Sequence, residues 1–193
     1  MKTAIILHGM PSKTGYYDPK RESQSNEHWL PWLQRQLLLK DVLAQTPEWP
    51  KPYDPDYKAW SKVFDQFHVG KDTLLIGHSC GAGFLVRWLS EHKIKVGKVI
   101  LVAPWINPDK KSGRKLISSE FFNFKIDKNL LKRTKGITIF NSIDDYADIQ
   151  QSVKVLRETI PGIRYREFKN RGHFCYNDMK TRKFPELLKE VLK

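Results

Sequence analysis

The chain has 193 residues, of which 40% are hydrophobic and 28% charged, and its formal net charge is +13 with a pI near 9.7. That size suits one domain with a real core, spanning residues 1–193, and the composition excludes a disordered or collagen-like chain. No apolar run approaches the about 20 residues that a spanning helix needs, so no membrane partner is expected.

A basic pI invites a nucleic-acid reading. The distribution argues against it. Residues 1–100 carry 14 Lys/Arg against 10 Asp/Glu, and residues 101–193 carry 20 against 11. The excess is scattered in small groups, such as Lys110, Lys111, Arg114 and Lys115, or Arg164, Arg166, Lys169 and Arg171. A solvated basic surface is therefore favoured over a polyanion site, and no nucleic-acid partner is expected. The sequence leaves the oligomeric state open, a monomer included.

The opening MKTAIILHGMPSK holds one Lys and a six-residue apolar stretch. A secretory signal has an apolar region of about 7–15 residues, so this stretch reads as a buried strand and the cytoplasm as the location. Two cysteines, Cys80 and Cys175, make no disulfide framework and too few ligands for structural zinc. No metal or cofactor is expected.

The run at residues 4–7 (AIIL) ends at His8-Gly9 and predicts a strand buried on both faces. Residues 10–26 read as loop. Asn26 is a plausible cap for a helix over 27–40, where Trp29, Leu30, Leu33, Leu37 and Leu38 recur at helical spacing and Pro31 falls in the first turn. A short strand is expected at Val42–Gln45. Residues 46–56 hold four prolines and read as loop. A helix is expected over 57–67 and a buried strand over 73–76 (TLLI), followed by a turn at 77–83 and a helix over 84–91. Strands at 98–102, 136–141 and 163–168 follow, with a short helix at 129–133, another helix at 148–159 and a closing one at 184–192. Residues 103–127 are the candidate for a small lid. Strands alternating with helices predict an α/β fold with a mostly parallel central sheet and helices on both faces.

The sharpest feature is Gly77-His78-Ser79-Cys80-Gly81, set between a strand and a helix. This is the G-x-S-x-G nucleophile elbow in its required context. Its turn exposes Ser79 Oγ at the end of the sheet, where a helix N-terminus favours a developing anion. A serine hydroxyl needs a base, and the base an orienting acid, in the chain order Ser, acid, His. The strand at 136–141 leads into Ser142-Ile143-Asp144-Asp145, which offers two acids. His173, in Asn170-Arg171-Gly172-His173-Phe174, is the only histidine beyond them. The oxyanion donors should be the backbone N–H of Cys80 and one from the loop after the first strand. Met10 is the candidate there, since Pro11 has no N–H. Trp105, and Tyr16 or Tyr17, are candidates to border the pocket. Trp105 is as readily a core residue. His28, His68 and His92 are read as surface or helix-packing residues, and His78 as the elbow's variable position.

Ile76 to Gly81, Ser142 to Asp145 and Gly172 to Phe174 together make the chain resemble a compact α/β-hydrolase with little or no cap. More narrowly, it resembles the small serine hydrolases grouped with retinoblastoma-binding protein nine. The resemblance covers nearly the whole chain. It implies a Ser–His–Asp triad and carries the acid over to Asp145. It differs at Asn141, where relatives tend to have glycine, and after the acid pair, where a proline commonly stands. The expected activity is acyl transfer from small or short-chain esters. The competing expectation is a protein- or polyanion-binding module on a hydrolase fold, with weak or vestigial catalysis.

Overall fold

The computed structural model describes residues 2–106 and 120–193. Six strands form one sheet: β1 Lys2–Leu7, β2 Val42–Gln45, β3 Leu74–His78, β4 Val99–Val102, β5 Ile137–Ser142 and β6 Arg164–Phe168. The helices are α1 Lys13–Tyr16, α2 Leu30–Leu38, α3 Tyr57–Phe64, α4 Cys80–His92, α5 Ala147–Thr159, α6 Tyr176–Met179 and α7 Pro185–Leu192.

The strand order is β2-β1-β3-β4-β5-β6, and every pairing is parallel. The expected parallel α/β layering is what forms. β4 is buried at all four positions and β5 at all six, as strands covered on both faces must be. The chain steps one way from β1 to β2 and the other way from β3 onward. Right-handed crossovers then put α2 on one face and α3, α4 and α5 on the other. Aromatic contacts follow this division. Phe64 of α3 meets Phe84 and Trp88 of α4 with ring centroids 5.4 and 4.8 Å apart, while Trp29 beside α2 meets Phe184 beside α7 at 6.0 Å. The order reverses between β1 and β3, and a crevice opens beyond the C-terminal ends of strands at such a reversal.

Several local expectations fail for identifiable reasons. Asn26 does not cap α2. It ends a 3₁₀ turn, Gln24–Asn26, and its side-chain amide donates to Ser23 Oγ at 3.0 Å. The helix starts later, at Leu30, with Pro31 in its first turn. The stretch read as loop also folds α1, capped by Ser12 Oγ accepting from Gly15 N at 3.0 Å. Residues 129–133 form a 3₁₀ turn, Leu130–Arg133. The helix after the elbow begins at Cys80, four residues before the expected start. Trp49, inside the proline-rich stretch, is buried and stacks on Trp60 at 4.5 Å. Of the lid candidate, residues 107–119 lie outside the described residues. Its flanks are core: Trp105, Ile106 and Phe121 are buried.

A Cβ on Gly83 would lie 2.0 Å from the Trp105 carbonyl oxygen, so α4 and the turn after β4 touch backbone to backbone there. Gly83→Ala should force them apart, and overpacking of this kind costs about 1–3 kcal/mol. Urea unfolding followed by circular dichroism measures it. A lowered midpoint is expected, and an unchanged one would show that this contact is dispensable.

Candidate active site

β3 carries the chain to His78, and Ser79 then takes φ +54°, ψ −120° before α4 begins. A residue with a side chain occupies that region only at a cost of about 1–3 kcal/mol, and the surroundings must hold it there. Ser79 N–H donates to Val102 O at 2.9 Å, while Ser79 O accepts from Ala82, Gly83 and Trp105 N–H, each at 3.1 Å. Two glycines make room. A Cβ on Gly77 would lie 2.6 Å from Ala82 Cα, and one on Gly81 would lie 2.4 Å from His8 O. The Ser79 side chain thus stands at the reversal between β1 and β3, above the N-terminus of α4.

The second part is the turn after β6. Asn170, Gly172 and Phe174 all have φ between +46° and +58°. Phe174 is buried and stacks on Phe184 at 5.5 Å, which anchors the turn in the core. Between two of these residues, His173 is directed at the serine. Its Nε2 lies 2.8 Å from Ser79 Oγ. Its Nδ1 lies 2.9 and 3.0 Å from the two carboxylate oxygens of Asp145, whose side chain is fully buried. Asp145 Oδ1 also accepts from Tyr146 N–H at 2.7 Å. Hydroxyl, imidazole and buried carboxylate therefore form a continuous hydrogen-bonded line. Such a line lets the imidazole take the hydroxyl proton while the carboxylate favours the imidazolium that results.

Asp144 is turned elsewhere. It accepts from Ser142 Oγ and, at 3.3 Å, from Gly172 N–H. Ser142 Oγ also takes Arg171 N–H at 3.1 Å. The Ser142 hydroxyl, with backbone N–H groups behind it, holds the Asp144 carboxyl below its usual range. Asp144 thus ties the end of β5 to the histidine turn.

On the β1 side, a Cβ on Gly9 would lie 2.9 Å from Ser79 Cβ and 3.5 Å from Oγ, so bare backbone passes the hydroxyl. Met10 follows, packed against the core. Among the described residues, neither the Met10 N–H nor the Cys80 N–H has a protein acceptor. His8 is buried beneath this loop. Its Nδ1 lies 2.7 Å from Gly9 O, and its Nε2 lies 3.3 Å from Trp49 N and 3.1 Å from Glu48 Oε1. Burial pushes the Glu48 carboxyl up, but hydrogen bonds from His8 and Ser25 outweigh it and leave the group lowered.

Two histidines acquire partners that the sequence did not suggest. His78 Nε2–H donates to His173 O at 2.8 Å, which joins β3 directly to the His173 backbone. Burial, followed by the nearby His173, keeps His78 neutral. His28, 21% exposed at its side chain, packs edge-on to His78 at 5.8 Å and accepts Tyr176 N–H on Nδ1 at 3.2 Å. Burial first, then His173, lowers its pKa to about 4. Trp105 is core, 1% exposed and set against Phe122, while its backbone N–H donates to Ser79 O. Exposed Tyr146 stands with its ring 5.4 Å from the His173 ring. Burial pushes the Cys80 thiol well above its usual range, which leaves it inert. The two cysteines are not bridged. Among the described residues, no helix is long and apolar enough to cross a membrane, and no His, Cys, Asp and Glu groups are clustered to hold a metal ion.

Comparison with known proteins agrees with this architecture. The hydrolase YdeN of Bacillus subtilis (strain 168) is 27% identical over 182 residues, covering 92% of this chain and 88% of the relative. The crystal structure of the B. subtilis ydeN product superposes with a TM-score of 0.82 at 24% identity, covering 100% and 97% of the two chains. Est1E of Butyrivibrio proteoclasticus, solved with ferulic acid, gives 0.66 at 16% identity over 100% and 88%. A lidless α/β serine hydrolase of Xanthomonas campestris gives 0.55 at 15% identity over 98% and 80%. The fold is that of the α/β-hydrolases. The profile of the serine hydrolase family matches residues 16–188, and the chain belongs to that family.

Proposed function

We propose that this serine hydrolase is a carboxylic ester hydrolase in which Ser79, His173 and Asp145 are the catalytic triad. The observation that carries the reading is the unbroken line from Ser79 Oγ through His173 to Asp145, at 2.8 and 2.9 Å. Ser79 Oγ attacks the ester carbonyl carbon, and His173 Nε2 takes the hydroxyl proton. The oxyanion is held by the N–H groups of Cys80 and Met10, with α4's N-terminal dipole behind Cys80. His173 returns the proton to the departing alcohol. Water, deprotonated by the same imidazole, then attacks the acyl carbon; the bond to Ser79 Oγ breaks, His173 returns the proton to Oγ, and the acid is released. The short chain supports small or short-chain acyl substrates. The motifs at Ile76–Gly81, Ser142–Asp145 and Gly172–Phe174 support a place beside retinoblastoma-binding protein nine within the family. One catalytic domain over residues 1–193, working in the cytoplasm, fits a sheet with one continuous core and two cysteines that are not bridged.

Ser79→Ala should fold as the parent does yet lose both covalent labelling by a fluorophosphonate probe and hydrolysis of p-nitrophenyl acetate. Undiminished labelling would place the nucleophile elsewhere.

The two adjacent acids separate the reading further. Asp145→Asn deprives the imidazole of its orienting carboxylate, and in another Ser–His–Asp enzyme that change costs about four orders of magnitude in turnover. Here kcat should fall on the order of a thousand-fold or more. Asp144→Asn keeps an oxygen for Gly172 N–H and should cost about ten-fold at most. Measuring kcat for both variants on one activated ester, with thermal melts to check folding, decides between them. A crippled Asp144→Asn beside a nearly normal Asp145→Asn would move the acid one residue upstream.

A further inference from the structure

A second cavity, of about 280 Å³, lies at the opposite end of the sheet, where the strands start. Five lysines line it: Lys2, Lys40, Lys98, Lys135 and Lys193. Asp72 is the one acid on its wall among the described residues. Val42, Leu74 and Val191 give the wall an apolar part. Lys2 opens β1 and Lys98 immediately precedes β4, so residues 96 apart in sequence converge because parallel strands all start at one end.

The ion pairs do not balance these charges. Lys135 Nζ pairs with Asp72 at 2.5 Å. Lys193 Nζ pairs at 2.9 Å with Glu190, which is buried and already faces Arg164 and Arg166 at 3.8 and 3.9 Å. Lys98 Nζ reaches only the Glu190 backbone oxygen, at 2.9 Å. Among the described residues, Lys2, Lys40 and Lys98 have no carboxylate within ion-pair distance. Burial lowers the Lys98 pKa, Glu190 opposes this, and Arg164, Lys193 and Lys2 lower it further. Cations at helix C-termini complement the helix dipole, which accounts for Lys40 just beyond α2 and Lys193 at the end of α7. It does not account for Lys2 and Lys98, which stand at strand starts.

We propose that this cavity binds a small organic anion. Its phosphate, sulfate or carboxylate group sits between Lys2, Lys40 and Lys98, and a short apolar body lies on Val42, Leu74 and Val191. A bound anion would supply the charge that Asp72 and Glu190 do not. β3 has five residues, so at about 3.3 Å per residue this site and Ser79 are separated by roughly 15 Å. The proposal is therefore independent of the ester hydrolase reading and would stand if that reading fell.

The test is calorimetric titration of the full chain with hexyl phosphate, inorganic phosphate and hexanol, each at 50 and 150 mM salt. Hexyl phosphate should bind one site per chain, at least ten-fold more tightly than phosphate or hexanol alone. The double variant Lys2→Gln, Lys98→Gln keeps most of each aliphatic stem and should weaken hexyl phosphate ten-fold or more, with its melting temperature and its reaction with a fluorophosphonate probe unchanged. Absence of saturable binding overturns the proposal. So does phosphate binding as well as hexyl phosphate, because the apolar wall then contributes nothing. Unaltered affinity in the double variant also overturns it.

Discussion

The architecture turns on one peptide, that of Ser79, held at a positive φ by hydrogen bonds on both its N–H and its carbonyl. Each rests in part on a partner far along the chain. The N–H is taken by β4 and the carbonyl by the turn after β4 as well as by the first turn of α4. The strain is thus balanced only once the central strands are in register. The same peptide demands bare backbone around it, which Gly77, Gly81 and Gly9 provide. Rigid support at the reacting atom is what a preorganised site needs, because a donor that must first move into place loses part of its effect.

His173 is held as firmly, by a different means. Three left-handed residues turn the chain at His173, and Phe174 pins that turn among Phe168 and Phe184. His78, at the end of β3, then bonds to the carbonyl of His173. Because His78 and His28 are neutral, the crowd of three imidazoles places no fixed positive charge beside His173. Asp144 and Asp145 show how one backbone step divides labour. Consecutive side chains leave the chain in different directions, so one carboxylate meets the imidazole and the other meets the turn that carries it.

Much of this was legible in the sequence, for physical reasons. Buried parallel strands read as unbroken apolar runs, and AIIL, TLLI and KVILV all became central strands. The elbow was legible because its glycines are required by close approach, and the order of serine, acid and histidine follows the order of strand ends. What stayed hidden depends on tertiary partners. Asn26 has the chemistry of a cap, but its amide is occupied by Ser23 and the helix starts at Leu30. Trp49 sits among prolines that mark a loop, and only its stack on Trp60 shows it to be core. The contact of His28 with His78 joins residues 50 apart and leaves no local pattern. The lysine-lined cavity is hidden likewise, since its cations belong to different strands.

The pairing of β1 with β3 sets a condition on how the chain is made. Ile6 lies opposite Ile76, and between them β1 first acquires β2, with Ala4 opposite Ala44. During synthesis from the N-terminus, an apolar central strand therefore exists with one side unpaired until some seventy further residues have emerged. An uncovered strand edge of this composition invites pairing with other chains. The interval is bridged by residues 8–73, in which Trp29, Trp49 and Trp60 end up buried. The feature that makes the serine's setting rigid in the finished molecule is thus the one that leaves the growing chain most exposed.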